Sequence, residues 1–335
     1  MARGMTTTIA VLVPTDGTPP PPESRPIGRA ALMLADQGID VIFGDTLKAG
    51  RFDGMRAVPG GWQAVQDLPI DAIHDRYPSQ IRAHVFQQIL QEQEGLPMAN
   101  PLSFTQLCRD KVACQQAMES AGVAMPALEI RPEAFATRLQ EWGAGFLKPR
   151  YGALGQGVQR VEPTDALPTS LPSLVPGRFE PAILQRAIAP PSEWAGRALR
   201  VLVQRTADGW HFCPPVVRSS KTDPVANAAR GAQVDAGPAV LSEQVLQRVH
   251  DSCTEITQAL DTVPEAARAV EAGVDLVLDP GNQPHLIEIN SRPRGRLEVL
   301  AQQCSDQFGQ AHIEAVARPL QMLAHWVATN TVPVV

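Results

Sequence analysis

The first hundred positions carry short apolar runs with a helical stretch between them. Ile9-Ala10-Val11-Leu12-Val13 is a continuous apolar run, the pattern of a strand buried on both faces. A Pro-rich loop spans Pro14 to Pro22. Ser24 is placed to cap a helix that carries Pro26 in its first turn and runs from Gly28 to Gln37, where Gly38 ends it. Asp40-Val41-Ile42-Phe43 and Ala72-Ile73-His74 read as further strands, the latter ending in Asp75-Arg76-Tyr77-Pro78. Strand, helix, strand in this rhythm predicts a small parallel sheet.

A second segment opens near Asn100-Pro101. Cys108 to Ala121 has helical spacing, closed by Gly122. Strands are predicted over Ala127–Ile130, Gly145–Lys148, Val158–Val161, Ala182–Gln185, Leu199–Gln204 and Trp210–Pro214, with a Pro/Ser-rich surface loop from Leu167 to Gly177. Ser242 to Leu260 reads as a long amphipathic helix. Val274–Leu278 and His285–Ile289 form a strand pair, and Ala311–Val327 a closing helix. The class is α/β.

At 335 residues the chain can build two or three packed lobes. Its net charge of -6 argues against a nucleic-acid partner, whose binding rests on phosphate neutralisation. Five cysteines without a C-x-x-C pair argue against a disulfide framework or a Cys-based zinc site; five buried, inert thiols are expected. No apolar run approaches the ~18 residues of a membrane span, and the first residues lack the apolar core of a secretory leader. The expectation is a cytoplasmic protein without a membrane partner.

Two constellations carry candidate chemistry. In Phe146-Leu147-Lys148-Pro149-Arg150-Tyr151-Gly152-Ala153-Leu154-Gly155-Gln156-Gly157-Val158, Gly152, Gly155 and Gly157 allow the backbone to approach phosphates, and Lys148 supplies a cation. The order is G-x-x-G-x-G, and the alternating segment that follows makes the loop a flap between strands rather than a dinucleotide fingerprint. An ordinary glycine-rich hairpin turn is the other reading. In the second constellation, Asp275 lies on one strand, and Glu288 and Asn290 share a face of the next. Carboxylates in an apolar run are costly unless a cation neutralises them, and hard oxygen donors suit Mg²⁺. The competing reading has Asp275 capping the turn and Glu288 paired with Arg292 or Arg294. Arg200, inside Leu199-Arg200-Val201-Leu202-Val203, is a charged position that needs a reason.

In order along the chain, Asp75-Arg76-Tyr77-Pro78, Asn100-Pro101 with Asp110-Lys111, Leu147-Lys148-Pro149 with the glycine flap, Ile183-Leu184-Gln185, Leu199 to Gln204, Asn227 to Gly231 and Glu288-Ile289-Asn290-Ser291 resemble the ATP-grasp superfamily. The likeness covers about residues 70 to 300. It is closer to the glutathione-synthetase-like and ribosomal-protein-glutamate-ligase-like branch, and closest to the spore-coat-associated subgroup. It implies an ATP-grasp fold with a Rossmann-like N-terminal lobe (1–100) and an ATP-grasp domain (101–335). The latter divides into an α+β lid (about 111–187) and a C-terminal α+β lobe (about 188–335).

The resemblance implies that Lys111 and Lys148 contact ATP phosphates under Gly152, Gly155 and Gly157. Gln185 and Ile188 would form the hinge against adenine, and Glu193 would hold the ribose. Asp275, Glu288 and Asn290 would bind Mg²⁺, with Mn²⁺ as an alternative. Arg200, Arg218 and Asn227 would surround an acyl phosphate. Apart from the resemblance, Arg76 stands at the carboxyl end of a strand of the parallel sheet, where ligands bind, and is the candidate for a substrate carboxylate, a surface turn with a salt bridge being the other reading; the basic cluster with Arg292 and Arg294 reads as anion contacts to substrate. Three departures stand out: Ala198 replaces an acid, Ala232 a glycine, and the segment after Asn290 is unusually basic. The implied activity is ATP-dependent ligation of a small-molecule or peptide carboxylate to an amine, in a chain that could form homo-oligomers. A non-catalytic ATP-binding module and a phosphotransferase with a stable phosphorylated product are the alternatives.

Overall fold

The structure is a computed structural model that describes residues 6–14, 20–76, 96–152, 155–173, 177–293 and 297–330. Its first lobe is a six-stranded sheet in the order β4-β3-β2-β1-β5-β6, formed by β1 (Thr7–Leu12), β2 (Ile39–Lys48), β3 (Arg51–Val58), β4 (Gly61–Pro69), β5 (Ala72–Asp75) and β6 (Met98–Ala99). β1, β2, β5 and β6 are parallel, as the sequence rhythm predicts. β3 and β4 extend the sheet as an antiparallel hairpin. The apolar pattern does not show this hairpin, because β4 keeps only intermediate and exposed positions. Helix α1 (Pro26–Ala35) starts at its proline, but Ser24 does not cap it. Arg25 is the N-cap, and the Ser24 hydroxyl donates to Pro21 O at 2.6 Å within a 3₁₀ turn.

The predicted helix from Cys108 to Ala121 is two helices, α2 (Leu102–Arg109) and α3 (Lys111–Ser120). Asp110 breaks them apart. Its backbone is extended, and its carboxylate accepts from Val112 N and Ala113 N at 3.0 and 3.3 Å, an N-cap that starts α3 at Lys111.

The lid consists of β7 (Leu128–Glu129), α4 (Phe135–Trp142), β8 (Gly145–Pro149), β9 (Gln159–Val161), β10 (Ser170–Pro172) and β11 (Phe179–Arg186), paired β10-β11-β8-β9 with β7 beside β11. α4 was not legible in the pattern. The Pro/Ser-rich stretch read as loop contributes the short β10. The lid core is small and separate: Phe135, Leu139, Leu147, Val161, Leu171, Ala182 and Leu184.

The third sheet is antiparallel, β15-β14-β12-β16-β17 with β13 on β12. Its strands are β12 (Gly196–Thr206), β13 (Gly209–Phe212), β14 (Val216–Ser220), β15 (Gln233–Ala236), β16 (Glu271–Leu278) and β17 (Pro284–Asn290). β14 and β15 were not anticipated. Between them and β16 lie α5 (Gly237–Val240) and α6 (Glu243–Thr262), the latter capped by Ser242, whose Oγ accepts from Val245 N at 3.4 Å. One sheet face is apolar: Leu199, Val201, Val203, Val217, Val274 and Leu276 pack against Val245, Val249, Cys253, Ile256 and Leu260 of α6.

Helices α7 (Leu297–Gln303) and α8 (Ser305–Thr329) close the chain. Ile313, Ala317, Leu320, Leu323 and Trp326 of α8 share one core with Ile9, Val11, Leu34 and Val41 of the first lobe. The first and third lobes are therefore joined through α8 into a common body, while the lid keeps its own core. Four cysteines are buried, but Cys304 is exposed, contrary to expectation. Among the described residues no helix is long and apolar enough to cross a membrane.

Candidate active site

Strand parity builds the floor of the site. Arg200 on β12 pairs with Asp275 on β16, which pairs with Glu288 on β17. Cross-strand partners point to one face. Arg218 on β14 stands opposite Ala198, two residues from Arg200, and so shares that face. A register shift just after Asp275 inserts one extra residue into β17. This bulge lets Leu286 and Ile289 both enter the apolar core although they are three residues apart. It also places Glu288 and Asn290 on the polar side with Asp275.

The polar face is tightly bonded. Arg200 forks Asp275 through Nε at 2.9 Å and through a second nitrogen on the other oxygen. Arg218 donates to Asp275 Oδ1 at 2.7 Å, and Asn290 Nδ2 donates to Oδ2 at 2.9 Å. Burial pushes the Asp275 carboxyl upward, but the charges and hydrogen bonds of Arg200 and Arg218 outweigh it and hold Asp275 below the usual carboxylate range. Arg218 is itself buried, and its Nε has no hydrogen-bond partner among the described residues. A buried donor left open in this way suits an incoming oxyanion.

Above the floor, Lys111 Nζ lies 3.6 Å from Glu288 Oε1 and donates to the Gly152 carbonyl. Lys148 on β8 donates to Gln185 Oε1 at 2.6 Å. Burial lowers the Lys148 ammonium to about 8, against an opposing pull from Glu288. The glycine loop joins β8 to β9 as the sequence predicts, with Gly155 and Gly157 at φ 70°, a conformation natural to glycine. A side chain at Gly155 would strike Asn227 Nδ2, 2.7 Å from its Cβ position. Arg230 Nη1 donates to Val158 O at 3.1 Å, so the Asn227–Arg230 turn of the third lobe abuts the flap. Arg150 behind the flap forks Asp110 at 2.8 and 2.6 Å, tying the lid to the start of α3.

These groups surround a cleft of about 2470 Å³. Among the described residues twelve cationic and four anionic side chains line it, the opposite balance to the chain's net charge of -6. The cleft is built for anions. Of the residues the sequence singled out, Arg76, Lys111, Lys148, Gly152, Gly155, Gly157, Gln185, Ile188, Arg200, Arg218, Asn227, Asp275, Glu288, Asn290 and Arg292 all line it. Glu193 does not. It is exposed and faces Arg197 at 3.8 Å, and the neighbouring Trp194 and Arg197 reach the cleft instead. Arg294 lies outside the described residues. The competing pairing of Glu288 with Arg292 does not occur: Arg292 donates to Asp75 Oδ2 at 2.5 Å.

Glu271, which the sequence reading passed over, is buried behind the cleft and holds Arg76 there. Arg76 Nη1 donates to Glu271 Oε1 at 2.8 Å, and Gln204 Nε2 donates to Glu271 Oε2 at 3.2 Å. Asn100 donates to the carbonyls of Glu271 and Ser291 and accepts from Val270 N and Glu271 N. The available signal was parity: Glu271 is four residues before Asp275 on one strand and so faces the same way. Buried His74, beside Arg76, is held neutral. Burial first, then the charge of Arg76, pushes it down to about 3.

Solved structures share this architecture. The D-alanine-D-alanine ligase of Coxiella burnetii aligns with a TM-score of 0.57 at 15% identity, over 98% of this chain and 96% of its own. D-alanyl-alanine synthetase A of Vibrio cholerae gives 0.55 at 13%, over 95% and 99%. Carboxyaminoimidazole ribonucleotide synthase of Aspergillus clavatus, complexed with ATP, gives 0.57 at 16%, over 95% and 79%. No curated protein matches the chain by sequence. The fold is that of the ATP-grasp proteins. Within that class, residues 170–314 match the sequence profile of the YheC/D-like ATP-grasp family, a stretch that includes Arg200, Arg218, Asn227, Asp275, Glu288 and Asn290.

Proposed function

We propose that this protein is an ATP-dependent carboxylate–amine ligase that works through an acyl phosphate. The observation that carries the proposal is the cluster of Arg200, Arg218, Asp275 and Asn290 on one sheet face, with Glu288 beside it and Lys111 and Lys148 above it under a glycine flap. Lys111 and Lys148 neutralise the polyphosphate. Gly152, Gly155 and Gly157 let the flap backbone lie against it, and Gln185 and Ile188 line the adenine end. Arg76 and Arg292 contact substrate.

The donor carboxylate oxygen attacks the γ-phosphorus, the Pγ–O bond to ADP breaks, and ADP leaves with the electron pair. The amine nitrogen then attacks the acyl carbon. The C–N bond forms, the C–O bond to phosphate breaks, and the amine proton passes to solvent. Arg200 and Arg218 stabilise the charge on the transferring phosphoryl and on the carbonyl oxygen, with Asn227 beside them. Catalysis of this kind is mostly positioning and charge neutralisation.

Glu288 and the Asn290 carboxamide oxygen are the hard oxygen donors that would hold Mg²⁺; Asp275 would join them only by releasing one of its four donors, since Arg200, Arg218 and Asn290 occupy both of its oxygens. Asn290 spends its Nδ2 on Asp275, which leaves its oxygen available. When bound, Mg²⁺ supplies charge neutralisation at the β- and γ-phosphates.

The test is release of ADP and inorganic phosphate from Mg-ATP, with amino acids and dipeptides supplied singly and in pairs. Equimolar ADP and phosphate that require both partners support ligation. ADP without free phosphate would replace it with a phosphotransferase, and nucleotide binding without turnover with a binding module.

A further inference from the structure

One sheet face carries two chemically distinct polar clusters. At the first, Arg200 pairs across the strands with Asp275, and both line the cleft; at the second, buried Gln204 pairs with buried Glu271, four residues along β16, and among the described residues reaches the cleft only through Arg76. Four strand residues separate them by roughly 13 Å. Midway, Gly273 has no side chain, and Pro293 packs into that space, 2.9 Å from where a Cβ would stand. Pro293, next to Arg292, therefore sits over the strand between the two clusters.

The second cluster is a built site. Arg76 lines the cleft, its side chain is 31% exposed, and among the described residues it donates to Glu271 alone. A guanidinium has five N–H donors in a planar fork, so most of its capacity faces the cleft. Glu271 is buried and is fastened by Gln204 and, through its backbone, by Asn100, which also grips the carbonyl of Ser291 just before Arg292. Both arginines are thus held before any ligand arrives, which lowers the ordering cost of binding. A volume of about 2470 Å³ also exceeds the roughly 300–1,000 Å³ of a single-ligand site, leaving room for an extended molecule beside a nucleotide.

Resting on the ligase reading above, we infer that the amine substrate is a peptide of roughly three to four residues, the number whose extended length spans this gap. Arg76, with Arg292 adjacent, holds its C-terminal carboxylate, and its α-amine reaches the acyl phosphate at Arg200 and Arg218. The amine forms the new C–N bond, phosphate leaves, and the proton passes to solvent.

The experiment measures ADP release with pooled amino acids as donors. Glycine, diglycine, triglycine, tetraglycine and their C-terminal amides serve as acceptors, with wild type, Arg76→Ala and Arg76→Lys. In parallel, triglycine and its amide are titrated calorimetrically in the presence of Mg²⁺ and a non-hydrolysable ATP analogue. The expected result is a kcat/KM that rises up to three or four residues and falls about tenfold or more on amidation. Arg76→Ala should erase the preference for acid over amide, with the loss in KM, and Arg76→Lys should restore part of it. Glycine outperforming triglycine, equal use of acid and amide by the wild type, or a preference that survives Arg76→Ala would overturn the anchor. If no pair releases ADP, the ligase reading falls. Binding then decides the anchor alone: an acid preference lost in Arg76→Ala upholds it, and none in the wild type removes it.

Discussion

Lys111 Nζ and Glu288 Oε1 face each other at 3.6 Å, one from the first residue of α3 and the other from β17. A nucleotide with its cation would enter between them. Phosphate oxygens would take the lysine and the metal ion would take the carboxylate.

Glu288→Gln should abolish ligation in a protein that remains folded. Gln keeps the volume but removes the charge on which a sparsely ligated Mg²⁺ depends. The rate should fall at least ~100-fold, the scale of losing one transition-state electrostatic contact, and residual activity should need more Mg²⁺. Wild-type turnover with an unchanged Mg²⁺ titration would refute the metal assignment.

Lys148 titrates at about 8 because burial disfavours its ammonium. Phosphate favours the charged form, so nucleotide binding near that pH should take up a proton, and affinity should decline as pH rises through about 8. Calorimetry in buffers of different ionisation enthalpy reads the uptake directly. Lys148→Met should bind ATP markedly more weakly and lose the uptake; an unchanged proton balance in that variant would assign the effect elsewhere.

The flap should close on nucleotide. Gly155 and Gly157 adopt φ 70° against Asn227 and Arg230, and the lid has a core of its own. Amides between Arg150 and Arg160 should exchange more slowly when an ATP analogue is bound. Equal exchange with and without it would argue against a lid.

Asn100→Ala should destabilise the fold by about 2–4 kcal/mol, since it strips partners from buried backbone groups of Val270, Glu271 and Ser291. Thermal melting should show the loss even without ligand. An unaltered melting curve would mean that the lobe seam does not depend on this carboxamide.

The sequence alone determined those features that depend on local periodicity or on residue type at short spacing. The parallel strands around Ile9, Val41 and Ile73, the glycine flap after Lys148, helix α6 and the pairing of Asp275 with Glu288 all belong here. Each follows from a repeat of two or 3.6 residues, or from glycine's freedom. The hairpin β3–β4, strands β14 and β15, and the break at Asp110 needed the tertiary structure. The edge strands β4 and β15 keep only exposed and half-buried positions, β14 is short and follows Val216 and Val217 with Arg218 and Ser219, and a capping aspartate inside a helical pattern looks like any polar helix position. The structure alone also decided which charges meet. Asp275 takes Arg200 and Arg218 from other strands, Arg292 leaves Glu288 for Asp75, and Arg76 crosses a gap of 195 positions to Glu271. Long-range partners are set by how sheets and lobes pack, and no local pattern in the chain encodes that distance.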